Sequence, residues 1–327
     1  VCSGQYEAGL RKILETFLAN LGTRSEQPGV WISGFYGSGK SHLAKMLRAL
    51  WTDYQFSDGA SARGLARLPS EILDLLRELS TQGKRLGGGL HAAAGKLGAG
   101  ANANVRLALL GIVFKSAGLP EEYHLAQFVM WLKREKLLDA VAAELRAMGR
   151  TLESELPDLY VSDYLAEAVR KAKPGFADSN QAARLFFEAQ FPQVTDVTNN
   201  QMVEAIHRAL AVGGKFPLTL IVLDEVQQFI GSDGQKAYLV QEVTETLSKK
   251  FSGLLLFVGT GQSALSGTPN LQRLLGRFPV SVMLGDWDVE NVTREIILAK
   301  KPSAKPAVEV VWRRNLGEIS RHLRGTK

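Results

Sequence analysis

Eight residues near the start of the chain constrain it more than anything else in it. Gly34-Phe35-Tyr36-Gly37-Ser38-Gly39-Lys40-Ser41 satisfies the phosphate-loop pattern G-x-x-x-x-G-K-[ST] at every fixed position. A loop that wraps a polyphosphate must turn its backbone N–H groups inward, along a path where a Cβ often clashes, and Gly34, Gly37 and Gly39 permit that path. In that geometry Lys40 reaches the terminal phosphates as a point charge. Ser41 offers a hydroxyl to Mg²⁺, and the helix that follows turns its positive end toward the anion. The flanks agree. Gly29-Val30-Trp31-Ile32-Ser33 is a short apolar run suited to a buried parallel strand, whereas Leu43, Met46, Leu47, Leu50 and Trp51 recur at helical spacing.

A second run supplies what such a loop needs opposite it. Leu218-Thr219-Leu220-Ile221-Val222-Leu223 is continuously apolar but for one threonine, and it ends in Asp224-Glu225, as a central strand ends at the catalytic edge of a doubly wound sheet. Asp224 can then hold Mg²⁺ directly or through its water, and Glu225 can accept a proton from a water attacking the γ-phosphate; the alternative is two solvated acids at a strand end. A third run, Gly253 to Val258, predicts another buried strand, ending in Gly259-Thr260-Gly261-Gln262. Thr260 and Gln262 fit either a sensor of the γ-phosphate or a simple hydrogen-bonded strand end. Beyond it, Leu271 to Phe278 predicts a helix leading into the short strand Val280 to Leu284. Arg277, and after it Arg273, stands just before the last strand, where ring-forming ATPases, which this segment resembles, place an arginine finger aimed at a neighbouring subunit; the alternative is a surface arginine without a catalytic role.

Length and composition permit this reading and close off others. With 327 residues, 45% hydrophobic and 22% charged, the chain can bury a large α/β core, and no apolar run approaches a membrane span. One cysteine, Cys2, rules out an internal disulfide and a multi-cysteine zinc site, and the five histidines are scattered without metal-ligand spacing. A formal charge of +6 makes nucleic acid or another polyanion a permissible partner, though the excess is small for this length. The start at Val1 without Met and the charged stretch at the other end lead us to expect a piece of a longer polypeptide.

The predicted organisation is an α/β nucleotide-binding core interrupted by a large helical insertion. Residues 1–120 hold an N-terminal helix, built on Leu10, Ile13, Leu14, Phe17, Leu18 and Leu21, and the first half of the core. Residues 121–213 form the helical insertion, whose aromatics Phe128, Trp131 and Phe186 are expected to be core. Residues 214–300 complete the core, ending in a helix from Val289 to Lys300 with Asp288 as its N-cap, and 301–327 are a linker and a further helix. Ser57 to Pro69 reads as loop. The Gly- and Ala-rich stretch from Gly83 to Asn104 is either a surface loop or, over Leu90 to Gly98, a strand with glycines that let backbone approach closely.

Taken together, Trp31 to His42, Val222 to Gln227 and Arg277-Phe278 resemble the AAA+ division of P-loop ATPases, of the ASCE type. The wording of the first block, the Gly-Ala stretch near residue 90 and Asn104-Val105-Arg106-Leu107-Ala108-Leu109-Leu110 further resemble the large P-loop proteins of BREX bacteriophage-exclusion systems, the BrxC/PglY family. The resemblance implies a parallel sheet flanked by helices, and ATP held by Gly34, Tyr36, Gly37, Ser38, Gly39, Lys40, Ser41, His42 and Gln262. It also implies Mg²⁺ on Ser41 and Asp224, and catalysis by Lys40, Glu225, Thr260 and Arg277. At the level of the whole protein it implies a homo-oligomer in the bacterial cytoplasm, working with DNA and a DNA methyltransferase in antiviral defence. The sequence departs from the pattern in one respect: the small helical lid that usually follows the last strand is barely represented.

Overall fold

The computed structural model describes residues 4–21, 27–97, 104–285 and 302–324. Five strands are laid side by side: β1 (Val30–Ser33), β2 (Leu90–Lys96), β3 (Leu218–Asp224), β4 (Leu255–Gly261) and β5 (Val280–Met283). Their order is β2-β3-β4-β1-β5, and every pairing is parallel. The apolar runs are continuous because both faces of the sheet are covered, and the period-two alternation of side chains survives inside them. Val30, Ile32, Leu218, Leu220, Val222, Leu256 and Val258 enter one core, while Trp31, Ile221, Leu223, Leu255 and Phe257 enter the other.

The first core is closed by α1 (Gln5–Asn20), α2 (Lys40–Thr52) and α4 (Ser70–Leu86). Trp51 anchors it: the ring packs edge-on to Phe17 with centroids 4.8 Å apart, and the indole N–H donates to the carbonyl of Leu218 at 3.0 Å. Ser57 to Pro69 is not wholly loop. Ser61 caps a short helix, α3 (Ala62–Leu65), and Arg63 ties that turn down by donating to the carbonyls of Leu50, Trp51 and Leu76.

The second core takes α5 (Val105–Ser116), α6 (Tyr123–Arg134), α7 (Leu138–Ala147), α8 (Leu152–Glu155), α9 (Asp163–Ala172), α10 (Asn180–Gln190) and α11 (Asn199–Leu210), followed after β3 by α12 (Val226–Ile230) and α13 (Gly234–Lys250). Phe128 and Trp131 are core as expected and cluster with Phe176, Phe187 and Phe191, whereas Phe186, also expected there, lies at the edge of the cluster and is exposed. The helices between β2 and β3 therefore share a core with the sheet, and residues 1–285 constitute one compact unit.

Over Leu90–Lys96 the Gly-Ala stretch is a strand, its first residues ending α4 and residues 98–103 lying outside the described residues. β2 pairs with β3 along its whole length, from Leu90 opposite Leu218 to Lys96 opposite Asp224. Its small residues are required by what covers them, since a Cβ on Gly95 would lie 2.6 Å from Ile112 Cγ1. The helix expected to lead into β5 is shorter than its apolar spacing suggested: α14 (Pro269–Gln272) gives way to turns before Arg277. The helix expected over Val289 to Lys300, with its cap Asp288, lies outside the described residues. The second unit, 286–327, contains α15 (Lys305–Arg324). Among the described residues no helix is long and apolar enough to cross a membrane.

β2 also carries a half-buried titratable group. His91 Nε2 lies 2.8 Å from Ser116 Oγ, and the single hydroxyl proton of Ser116 is committed to the Val113 carbonyl at 2.6 Å. His91 is therefore the donor, neutral with its proton on Nε2. Burial, reinforced by the nearby Arg48, pushes its pKa down to about 4. Between about pH 6.5 and 4 the unfolded chain binds the proton that the folded chain refuses, so stability falls as pH drops through that window, by on the order of 3 kcal/mol at full titration. In urea unfolding, the stability advantage of wild type over His91→Gln should shrink as pH is lowered from 7 to 5; an advantage that is constant with pH refutes the assignment.

Candidate functional site

All strands point the same way, so their carboxyl ends line one edge, where an open sheet of this kind presents its ligands. Three of those ends converge. β1 delivers Ser33 into the glycine-rich loop, β3 ends at Asp224, and β4 lies between them with Thr260 opposite Ile32.

The loop is held from within and from below. Gly37 and Gly39 have φ of +84° and +87°, a region L-residues with a Cβ avoid. At Gly39 a second constraint applies. The Tyr6 hydroxyl from α1 donates to the Gly39 carbonyl at 3.2 Å, and a Cβ at that position would fall on the same oxygen. Gly34 is equally enclosed, since a Cβ there would lie 2.5 Å from both the Leu284 carbonyl and Ser38 Oγ. Ser38 is 2% exposed, with its N–H donated to the Phe35 carbonyl, so it supports the loop from beneath and does not face the cleft. Tyr36, at the tip, is 95% exposed. Lys40 folds back over the loop, donating from Nζ to the carbonyls of Gly34 at 2.6 Å and Phe35 at 2.7 Å. Desolvation lowers its pKa, and the charge of Asp224 opposes that shift, which puts the β3 acid within electrostatic reach of the loop lysine.

The acidic end of β3 is fixed by a short network. Thr260 Oγ1 donates to Asp224 Oδ1 at 2.5 Å and accepts the N–H of Glu225 at 2.9 Å, while that same N–H also lies 3.1 Å from Asp224 Oδ1. These contacts hold Glu225 at φ +57°, a left-handed conformation that costs a non-glycine residue about 1 kcal/mol or more. The Glu225 carboxylate leans toward the outer strand, where Lys96 Nζ meets Oε1 at 2.8 Å. The hydrogen bond to Glu225 is the main cause of the raised pKa of Lys96. Lys96 carries no motif signature; only its register opposite Asp224 brings it here.

Between loop and acids opens a cleft of about 700 Å³, within the range of small-molecule sites. Of the residues singled out in the sequence, Tyr36, Gly37, Gly39, Lys40, Ser41, His42, Asp224, Glu225, Thr260 and Gln262 line it, joined by Gln227 and Gln228. Ser41 and Asp224 contribute hard oxygen donors to the same space, a set that suits Mg²⁺, which takes few protein ligands and completes its shell with water and phosphate. Gly34 and Ser38 lie behind the loop. Arg277 is at the opposite edge of the sheet, before β5, where its carbonyl accepts from Gly29 and its guanidinium meets Glu245 Oε2 at 2.8 Å. Arg273 is exposed, beside the start of α13. Neither arginine lines the cleft of its own chain. A smaller hollow of about 280 Å³ among α6, α11 and the end of α10 is lined by Trp131 and Phe191 together with His124, Arg134 and Arg208, and among the described residues it holds no carboxylate.

The chain is thus an α/β protein with a five-stranded, all-parallel sheet flanked by helices. No known family model matches the sequence, and no solved structure gives a significant match to it.

The Thr260 hydroxyl can be tested without assuming any activity. Thr260→Val keeps the shape, removes the bridge and leaves the Asp224 end of β3 without its donor. Unfolding in urea should show a loss of about 1–3 kcal/mol; a loss below about 0.3 kcal/mol would mean that water replaces the hydroxyl at no cost.

Proposed function

We propose that the chain is a Mg²⁺-dependent, ATP-hydrolysing module of the P-loop class, in its AAA+ division. The observation that carries this is the single cleft in which the glycine-rich loop, Lys40 and Ser41 face Asp224, Glu225 and Thr260. A loop motif alone would support phosphate binding, and a strand ending in two acids would support little by itself. Their meeting across one space of nucleotide size supports hydrolysis.

Each residue then has a task that its position allows. Lys40 leaves the Gly34 and Phe35 carbonyls and transfers its donors to the β- and γ-phosphates, while the backbone N–H groups of the loop face the same anion. Ser41 and Asp224 hold the metal, and Mg²⁺, when bound, neutralises charge on the phosphate oxygens. Glu225 exchanges Lys96 for the attacking water and accepts its proton. Thr260 keeps the two acids in register, and Gln262 contacts the γ-phosphate end. Arg277, or failing it Arg273, serves the cleft of a neighbouring copy after Arg277 gives up Glu245. This is the reading in which a homo-oligomer is required. The likeness of the loop and Gly-Ala segments to the BREX family extends the proposal to a bacterial cytoplasmic defence protein that remodels an oligomer or a DNA complex alongside a methyltransferase.

A second reading, a nucleotide-gated scaffold with little turnover, draws on a specific observation: both chemical groups are engaged by their own chain, Lys40 by loop carbonyls and Glu225 by Lys96. Bound ATP without phosphate release, even in assembled protein with DNA present, would favour it.

Glu225→Gln should retain ATP binding and lose at least 10²-fold in turnover, whereas Lys40→Ala should lose both. Equal phosphate release by wild type and Glu225→Gln removes Glu225 from the base role. A second measurement addresses assembly: ATPase rate per subunit should rise with protein concentration, and the Arg277→Ala protein should stay low throughout. A flat wild-type profile across the concentrations at which the protein assembles counts against an arginine supplied between copies.

A further inference from the structure

Gln227 had no part in the sequence reading beyond closing a motif, yet its side chain makes more contacts at the cleft than any acid does. It sits on the first turn of α12, directly after the two carboxylates. Its Oε1 accepts the backbone N–H of Gln262 at 2.7 Å and that of Ser263 at 2.9 Å, and its Nε2 donates to Ser263 Oγ at 3.3 Å. From the other side, the indole N–H of Trp31 on β1 donates to the Ser263 carbonyl at 2.9 Å. The residue before this segment must be glycine, because a Cβ on Gly261 would lie 2.3 Å from Trp31 Cζ2 and 3.1 Å from Gln227 Oε1. The segment that follows β4 is therefore gripped between β1 and α12, and Gln262 is the residue it presents to the cleft.

We infer that Gln227 is a positioning residue: it clamps the backbone of Gln262 and Ser263 so that the Gln262 side chain meets the terminal phosphate of a nucleoside triphosphate. The clamp and the Thr260 bridge are two separate rungs between the acidic end of β3 and the end of β4. The Thr260 rung holds the metal and base side of the site. The Gln227 rung sets the part that distinguishes a third phosphate from a second. Two N–H groups accepted by one amide oxygen fix the direction in which the chain leaves the strand, which a single hydrogen bond does not. The inference rests on the nucleotide-binding reading above, and its test has a readout that does not depend on turnover.

The measurement is the affinity of the intact chain for a non-hydrolysable β,γ-imido ATP analogue and for ADP, each with Mg²⁺, in wild type, Gln227→Leu, Gln262→Ala and the double variant. Wild type should prefer the triphosphate. Gln262→Ala should reduce that preference about tenfold, the scale of one hydrogen bond to a charged group. Gln227→Leu should reduce it by the same factor with ADP affinity unchanged, and the double variant should be no worse than either single one, because both remove the same contact. Gln262→Ala, which leaves the clamp itself intact, keeps the inference testable should the Leu variant fail to fold. The clamp is overturned if Gln227→Leu or Gln262→Ala keeps the wild-type preference, or if the two losses add. Failure of the folded wild-type protein to bind either nucleotide is a different result, and it overturns the nucleotide reading together with the clamp.

Discussion

One hydroxyl holds the acidic edge of this molecule in place. Thr260 has a single proton and gives it to Asp224, and its oxygen takes the N–H of Glu225 in return. It can do so only because β4 lies between β3 and β1, so that its last residues stand level with the ends of both neighbours. With Asp224 Oδ1 occupied by this bond, the remaining oxygen of the carboxylate is the one available to a ligand in the cleft. With its N–H fixed from two directions, Glu225 stays in a left-handed conformation that it would otherwise leave. The two acids adjacent in sequence are thereby given separate directions.

The order of strands makes that hydroxyl useful. Had β3 paired directly with β1, the acids would crowd against the loop, with no gap for a ligand. The interposed strand sets them one strand further off, and strands lie about 4.8 Å apart. The cleft of about 700 Å³ is the result of this spacing combined with the inward turn of the glycine-rich loop. The helices between β2 and β3 contribute by covering the face that carries Trp31 and Ile221, which keeps the sheet buried on both sides and lets its strands be apolar throughout.

What could be read from the sequence, and what could not, follows from the range of the interactions. The loop was legible because its chemistry is local: glycine spacing, a lysine and a hydroxyl within eight residues. β3 was legible because continuous burial leaves a continuous apolar run with acids at the end. β2 stayed ambiguous because its central residues are alanines and a glycine, Gly95 leaving room for Ile112 of α5, so the usual β-branched signal is missing. Lys96 and Gln227 were missed for a different reason. Their partners, Glu225 and the Gln262-Ser263 backbone, are supplied by strand pairing, and register is not written in any one segment. Ser38 and Gly34 belong to the motif, but they build the loop from behind and do not face the cleft.

The charges in the cleft make the last step. Among the described residues that line it, Lys40 is the one lysine or arginine, against the carboxylates of Asp224 and Glu225. A polyanion entering such a space meets more negative charge than a single lysine can offset, even with the loop N–H groups turned toward it. The balance improves only if a divalent cation enters with the anion, on the Ser41 and Asp224 oxygens, or if positive charge arrives from outside the cleft. Arg277 cannot supply that charge within its own chain, because it faces the far edge of the sheet and is paired with Glu245. The Glu225 carboxylate turns outward to Lys96 on the edge strand, at a half-exposed contact that water can replace at little cost.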